Sequence, residues 1–350
     1  AYMFCGFLVI WMAYGTLSMA IAFLPLILFA IEKSFTTKKC FILLLVPIGL
    51  LTSFFSGHFQ MAVYVALYSF GYILFKYATT KNVRILLWTT GAFTLGGAIS
   101  LLQILPALEL YKLSIRSELF SAQGGIPLQY LVTIFAPDFF GSPVTRNDWM
   151  GYYNEWGTFI GIIPFLLAIV AVLYGIKKKI ILFFFIAGVS ALLLSVDTPL
   201  QRVIESLKIP IFSTSIPSRL AALFSFSFCI LAAFGFDYFV AQFKQKSRKK
   251  ILLPFVILLS LLACIWALLV VFKILPPEKL QIASRNLLLP TGIFLIVFIG
   301  TVGTFVIRKK ILIVSFIWLV LIIASFDSIR FASKWMPFDP KNLAFPDLPV

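Results

Sequence analysis

His58 is the single histidine of the chain, and it stands two residues before Gln60 in Gly57-His-Phe-Gln60. Histidine is the side chain whose charge changes near neutral pH, so a lone one can move protons. The plainer reading is an interfacial histidine bonded to a loop carbonyl. Arg219, in Ile216-Pro-Ser-Arg219, opens an apolar run. Its guanidinium is either a bidentate clamp on phosphate oxygens or an arginine snorkelling at the end of a span. Arg116 follows Glu109 by seven residues, two helical turns on one face, which makes the pair either a salt-bridged surface or part of a site. Asp138, in Ala136-Pro-Asp-Phe-Phe-Gly141, reads first as a turn residue and second as a general base or metal ligand. Asp148 and Glu155 carry the same ambiguity. The catalytic candidates are therefore His58, Asp138 and Glu109; the binding candidates are Arg219, Arg116, Gln60, Gln103 and Tyr152.

Nothing here has the specificity of a P-loop or a zinc signature. One histidine excludes a His-based metal cluster, and Cys5, Cys40, Cys229 and Cys264 have no CxxC spacing, so they read as small core residues. No cofactor is implied, and divalent-metal use is left open.

The elements that must position these residues are transmembrane helices. With 61% hydrophobic and 12% charged residues and a mean hydropathy of +1.04, the chain cannot cover itself with the polar surface a soluble domain needs. About 20 apolar residues cross a bilayer core. Apolar runs predict spans near 1–13 (the tail of a longer helix that starts upstream), 17–33, 41–56, 59–76, 85–108, 157–176, 180–196, 219–240, 251–273, 290–307 and 311–327, with one long tilted helix over 1–33 as the alternative to the first two. Basic clusters at Lys33/Lys38/Lys39, Lys76/Lys81/Arg84, Lys177–Lys179, Lys244–Lys250 and Arg308–Lys310 fall on one side, joined there by only two acids, Glu32 and Asp237. The positive-inside rule makes that side cytoplasmic. The net charge of +16 is thus an orientation signal rather than a nucleic-acid footprint.

The expected fold is an all-α polytopic membrane protein of about 10–11 transmembrane helices over 1–327. Its exterior loops are 109–156, 197–218 and 274–289, and an exterior extended segment over 328–350 leads toward a further exterior region. Within the first loop, Pro127–Phe135 is too short to span and reads as an interfacial or re-entrant helix. Trp149, Tyr152, Tyr153 and Trp156 fit an aromatic belt. There is no signal-peptide pattern, and Ala1 begins inside an apolar run, so the reading expects an N-terminus further upstream.

Depth follows from counting residues away from the lysines. His58 is 18 residues from Lys76, roughly 27 Å along a helix, and Gln103, Asp197, Arg219 and Asp327 fall at similar distances from their own basic clusters. No ionisable residue falls near the midplane, which weighs against a proton- or ion-coupled transporter. A polar layer at one leaflet suits an enzyme whose substrate has its tail in the membrane and its head outside.

The ordered series Ser56-Gly-His-Phe-Gln60, Gln103-Ile-Leu-Pro106 with Glu109 and Ser114-Ile-Arg116, Pro137-Asp-Phe-Phe-Gly141, Pro217-Ser-Arg219 and Leu231-Ala-Ala-Phe-Gly-Phe-Asp237 resembles the YfhO-type bacterial membrane protein family. The resemblance runs from about residue 10 to 240. It implies a polytopic glycosyltransferase of GT-C architecture in the bacterial cytoplasmic membrane. Such an enzyme would move a sugar from a polyprenyl-phosphate carrier to a cell-envelope glycopolymer, such as a teichoic acid, on the exterior face. It further implies that Arg219, with His58 and Gln60, stabilises the departing lipid phosphate, while the catalytic acid lies in an exterior loop before Ala1. Relatives with a second arginine place it where this chain has Ser215, leaving Arg116 or Lys208 as substitutes. The alternatives are a lipid-carrier flippase or exporter, and a non-enzymatic envelope-assembly scaffold.

Overall fold

A computed structural model describes residues 1–37, 40–114, 124–207, 216–243, 251–307 and 309–336. Those residues form thirteen α-helices and no strand, the only sheet-like pairing being one isolated parallel bridge between Ile126 and Val196. In chain order the helices are α1 Gly6–Met12, α2 Leu17–Ala22, α3 Leu24–Thr37, α4 Leu45–Phe55, α5 Phe59–Thr80, α6 Val83–Lys112, α7 Ile162–Gly175, α8 Lys179–Ser195, α9 Pro199–Ser206, α10 Ala221–Gln242, α11 Leu252–Val270, α12 Pro277–Ile307 and α13 Lys310–Trp335.

Seven helical stretches, α2–α3, α5, α6, α10, α11, α12 and α13, are long and apolar enough to cross a membrane; α4, α7 and α8 are shorter apolar helices. The chain is a multi-pass membrane protein. Residues 1–13 do not form a span: α1 has seven residues and turns back at Tyr14-Gly15. Two further boundaries move outward. α12 starts at Pro277 rather than near 290, because Pro290 sits inside the helix without ending it, and α13 continues past 327 to Trp335. The Pro127–Phe135 stretch is a 3₁₀ segment over Leu128–Ile134 rather than an α-helix. The 197–218 loop contains the short helix α9.

α10 is the hub. It is apolar around its whole circumference, as a helix buried on all sides must be, and it packs on α7 and α8. At Gly235 a β-carbon would collide with the Leu167 carbonyl of α7, so that contact needs a glycine. α6 and α13 instead leave most of their apolar surface uncovered, as helices facing lipid do.

The two ends of the bundle differ. At one, Lys76 at the end of α5 meets Glu32 of α3 at 2.9 Å, Tyr72 donates to Glu32, and Lys178 lies over the Tyr238 ring of α10 at 5.1 Å. This is the lysine-rich face. The opposite, loop-rich face carries the 124–161 connection, the start of α5 and the start of α10.

Between α7 and the loop turns, residues 157–161 run extended and buried. Gly6 N–H donates to the Phe159 carbonyl at 2.7 Å, Ile160 N–H donates to the Ile134 carbonyl at 2.9 Å, and the Thr133 and Thr158 hydroxyls share a bond of 2.8 Å. Non-helical backbone survives in such a place because protein groups satisfy it.

Candidate functional site

Three segments far apart in sequence meet at Arg219. The first is the start of α5. His58 has extended backbone there and its Nδ1 faces the Met61 N–H at 3.4 Å, the N-cap position of the helix. In the first turn, Gln60 is buried; its Nε2 donates to the Ile216 carbonyl at 3.0 Å and to the Tyr64 hydroxyl at 2.8 Å. The second segment is the Pro217–Leu220 turn, whose proline stands at the first position of a 3₁₀ turn leading into α10. The third is the loop before α7, which supplies Glu155.

Arg219 donates through Nε to Glu155 Oε2 at 3.0 Å and through Nη2 to Glu155 Oε1 at 2.8 Å. Its Nη1 donates to Gln60 Oε1 at 3.0 Å and contacts His58 Nε2 at 3.1 Å. The guanidinium also lies over the Trp11 ring, 5.6 Å from its centroid, a cation–π contact that fixes its plane. Guanidinium has five N–H groups, so one hydrogen of Nη2 remains uncommitted. Both partners of the ion pair are mostly buried, with 15% and 13% of their side chains exposed.

Two donors aim at the two nitrogens of His58, yet a neutral imidazole has one lone pair to offer. Only one of the two contacts can therefore be a hydrogen bond; the shorter, charge-assisted one from Arg219 to Nε2 is favoured, and it puts the proton on Nδ1, which then cannot accept from Met61. Burial, and second the Arg219 charge, lower the His58 pKa to about 4, against a backbone hydrogen bond that works the other way. The imidazole is therefore neutral at pH 7, and it holds Arg219 rather than carrying protons.

The remaining candidates lie elsewhere. Asp138 accepts from Tyr153 Oη at 2.7 Å and from Lys334 Nζ at 2.6 Å, and its carbonyl accepts from Asn286. One carboxylate oxygen closes the loop on itself through Tyr153, the other ties it to α13 through Lys334, and the main-chain carbonyl ties it to α12. Tyr153 stays protonated, since burial and then the neighbouring Asp138 charge push its pKa up. Glu109 is exposed and Gln103 half-buried on α6, and among the described residues neither bonds to the Arg219 group. Tyr152 is 67% exposed, with its ring edge-on to Trp156. Arg116, Lys208 and Ser215 lie outside the described residues.

Sequence reasoning singled out Arg219, His58 and Gln60 but did not join Glu155, Trp11 or Tyr64 to them. Glu155 is 64 residues from Arg219, and no periodicity links them. What holds Glu155 in place is a tight turn. Gly151 has φ +77°, and a β-carbon there would strike the Trp156 ring. Trp156 in turn packs edge-on to Tyr130, their centroids 5.0 Å apart.

Tyr130 belongs to the 3₁₀ segment, which roofs an apolar groove of about 540 Å³. Leu131, Phe165, Leu192, Phe224, Phe228 and Leu261 are among its walls. α10 separates groove and polar group: it gives Phe226 and Ser227 to Tyr68 of α5, and Phe224 and Phe228 to the groove. Among the described residues, no group of three or more His, Cys, Asp or Glu could hold a metal ion.

The chain matches no family model, no curated protein and no solved structure.

Proposed function

We propose that the chain is a membrane glycosyltransferase of GT-C type, transferring a sugar from a polyprenyl-phosphate carrier to a cell-envelope acceptor at the loop-rich face. The observation that carries this reading is the Arg219 group. A guanidinium and a carboxylate are held together, mostly buried, at one leaflet, and the loop bearing the carboxylate packs on the roof of a groove fit for an apolar chain.

Without substrate, Glu155 occupies the fork with which Arg219 would grip a phosphate. An arriving lipid phosphate exchanges with Glu155 and leaves that carboxylate beside the reacting bond. The acceptor hydroxyl oxygen then bonds to the anomeric carbon as the carbon–oxygen bond to phosphate breaks. The electron pair departs with the polyprenyl phosphate, held by Arg219, and the hydroxyl proton passes to Glu155. Gln60 and His58 keep Arg219 in position throughout.

The test uses the full chain in nanodiscs with radiolabelled polyprenyl-phosphate sugars. Release of polyprenyl phosphate should vanish in Arg219→Ala, whereas Glu155→Gln should bind donor and fail to transfer. Full transfer by Arg219→Ala would end the proposal. One observation favours a second reading, a purely structural lock: four of the five N–H groups of Arg219 already have protein partners. Exchanging the charges, Arg219→Glu with Glu155→Arg, decides between them, because a lock survives the exchange and a phosphate clamp does not.

A further inference from the structure

α12 has 31 residues and α13 has 26, so they are about 46 and 39 Å long. A hydrocarbon core takes about 30 Å of each. Both helices meet at Lys309-Lys310 on the lysine-rich face, so their surplus emerges at the loop-rich one. About ten residues at the start of α12 and six at the end of α13 stand clear of the bilayer core. These projecting ends, with the turn at 143–147, enclose a polar cavity of about 470 Å³ lined by Thr145, Asn147, Gln281, Ile282, Arg285, Asn286 and Lys334. Its volume is in the range of small-molecule sites, about 300–1,000 Å³.

Part of the wall is fixed. Lys334 and Asn286 are tied to Asp138, Trp335 Nε1 donates to the Ile10 carbonyl at 3.2 Å, and the Trp335 ring stacks on Tyr153 at 5.3 Å. Asn147 Oδ1 accepts from Ser142 N–H at 3.0 Å and from Thr145 Oγ1 at 2.7 Å. The helical spacing of four puts Gln281 with Arg285, and Ile282 with Asn286, on one face. Within that frame, the hydrogen-bonding groups left over are mainly donors. Arg285 makes no ion pair among the described residues, and no bond is made by Asn147 Nδ2 or the Gln281 amide. Among the described residues, no carboxylate lines the cavity; Asp138 lies behind Lys334.

We infer that this cavity is a second binding site, for an anion that also carries hydroxyl groups: a phosphorylated sugar or polyol. Arg285 takes the phosphate in its fork and Lys334 adds charge. The amides of Gln281, Asn147 and Asn286 serve hydroxyls, to which they can donate or from which they can accept. Asp138 is a positioning residue here, holding Lys334 and Asn286 at the wall. The inference concerns binding alone and does not depend on glycosyl transfer. The two sites share one loop, for Tyr153 reaches Asp138 and Glu155 reaches Arg219 from positions two residues apart.

The experiment is equilibrium binding to the full chain in nanodiscs, read without turnover. The probes are glucose 6-phosphate, glucose and inorganic phosphate. Glucose 6-phosphate should bind saturably in the millimolar range or tighter, at least tenfold better than either of the others. Arg285→Ala should weaken it at least tenfold with an unchanged melting temperature, and Arg219→Ala should leave it alone. The proposal falls if no probe saturates, or if Arg285→Ala binds normally. Loss in Arg219→Ala with retention in Arg285→Ala would overturn it too, by placing the anion at the other site. Inorganic phosphate binding as tightly as glucose 6-phosphate would strike out the hydroxyl-binding part.

Discussion

Each face of the bundle holds a carboxylate against a cation, and the two pairs are built differently. At the lysine-rich face, Glu32 and Lys76 meet through one oxygen; the Glu32 side chain is 39% exposed and that of Lys76 12%. At the loop-rich face, Glu155 and Arg219 meet through two bonds, both mostly buried, with Gln60 and His58 bracing the guanidinium from its other edge. A pair open to water contributes between nothing and about 1 kcal/mol. A buried pair must first overcome the cost of taking both charges out of water, and removing one partner strands the other, at about 3–5 kcal/mol. A fold gains little net stability from such an arrangement. Its presence at one face is a reason to look for function there.

The sharpest break of this comparison is Arg219→Ala. It should abolish transfer and, by stranding Glu155, lower stability by about 3 kcal/mol. Removing Glu155 as well should recover much of that stability and none of the activity, as thermal unfolding and donor turnover on the same preparations would show. A double variant no more stable than Arg219→Ala would mean that the stranded Glu155 carries no penalty.

Next in size is the Asp138 tie. Asp138→Asn removes the charge facing Lys334 while keeping the shape, and should cost about 1–3 kcal/mol, as for a buried charged hydrogen bond. The variant should lose affinity for glucose 6-phosphate through a loosened wall, while Arg219-dependent donor binding persists. Loss of both together would make the loop a single unit and erase the distinction between the two sites.

Much of this contrast is legible in the sequence. Counting from the lysines put His58 and Arg219 at one level because helical rise is fixed. Glu155 was not legible, since its loop has neither helical nor strand period and its place depends on Gly151, Trp156 and Tyr130 packing together. The extended plug at 157–161 was read as the start of a span because it is apolar; its backbone bonds go to α1 and to the 3₁₀ segment rather than along a helix. The cavity above α12 was hidden for the opposite reason. Residues 277–289 are polar enough to read as a loop, yet a helix projecting into water should be polar, and Gln281/Arg285 and Ile282/Asn286 carry its four-residue spacing.

A smaller effect should appear as pH dependence. His58 has an ordinary pKa of 6.5 and a folded one of about 4, so between those values the unfolded chain binds the extra proton. Stability from this residue is complete above pH 6.5 and declines as pH falls toward 4. Melting temperatures measured across that window should slope downward with acidity in the wild type and flatten in His58→Gln. In Arg219→Ala the window should narrow without closing, because burial is the larger cause of the shift and the arginine charge the smaller. A slope unchanged by His58→Gln would place the titrating group elsewhere.

The smallest effect belongs to the lysine-rich face, and it is the control on which the comparison rests. Glu32→Gln removes the charge opposite Lys76 but keeps an oxygen able to accept from Tyr72. Glu32 is 39% exposed although Lys76 is mostly buried, so the change should cost less than about 3 kcal/mol, the figure expected of a fully buried pair, and leave donor turnover untouched. Raising the salt concentration should shrink even that difference, since exposed charges are screened while buried ones are not. A cost above about 3 kcal/mol, or a loss of turnover, would show that this pair too is a strained and functional arrangement. Burial would then have failed as the property separating the two faces, and the assignment of chemistry to the Arg219 side would lose its physical basis.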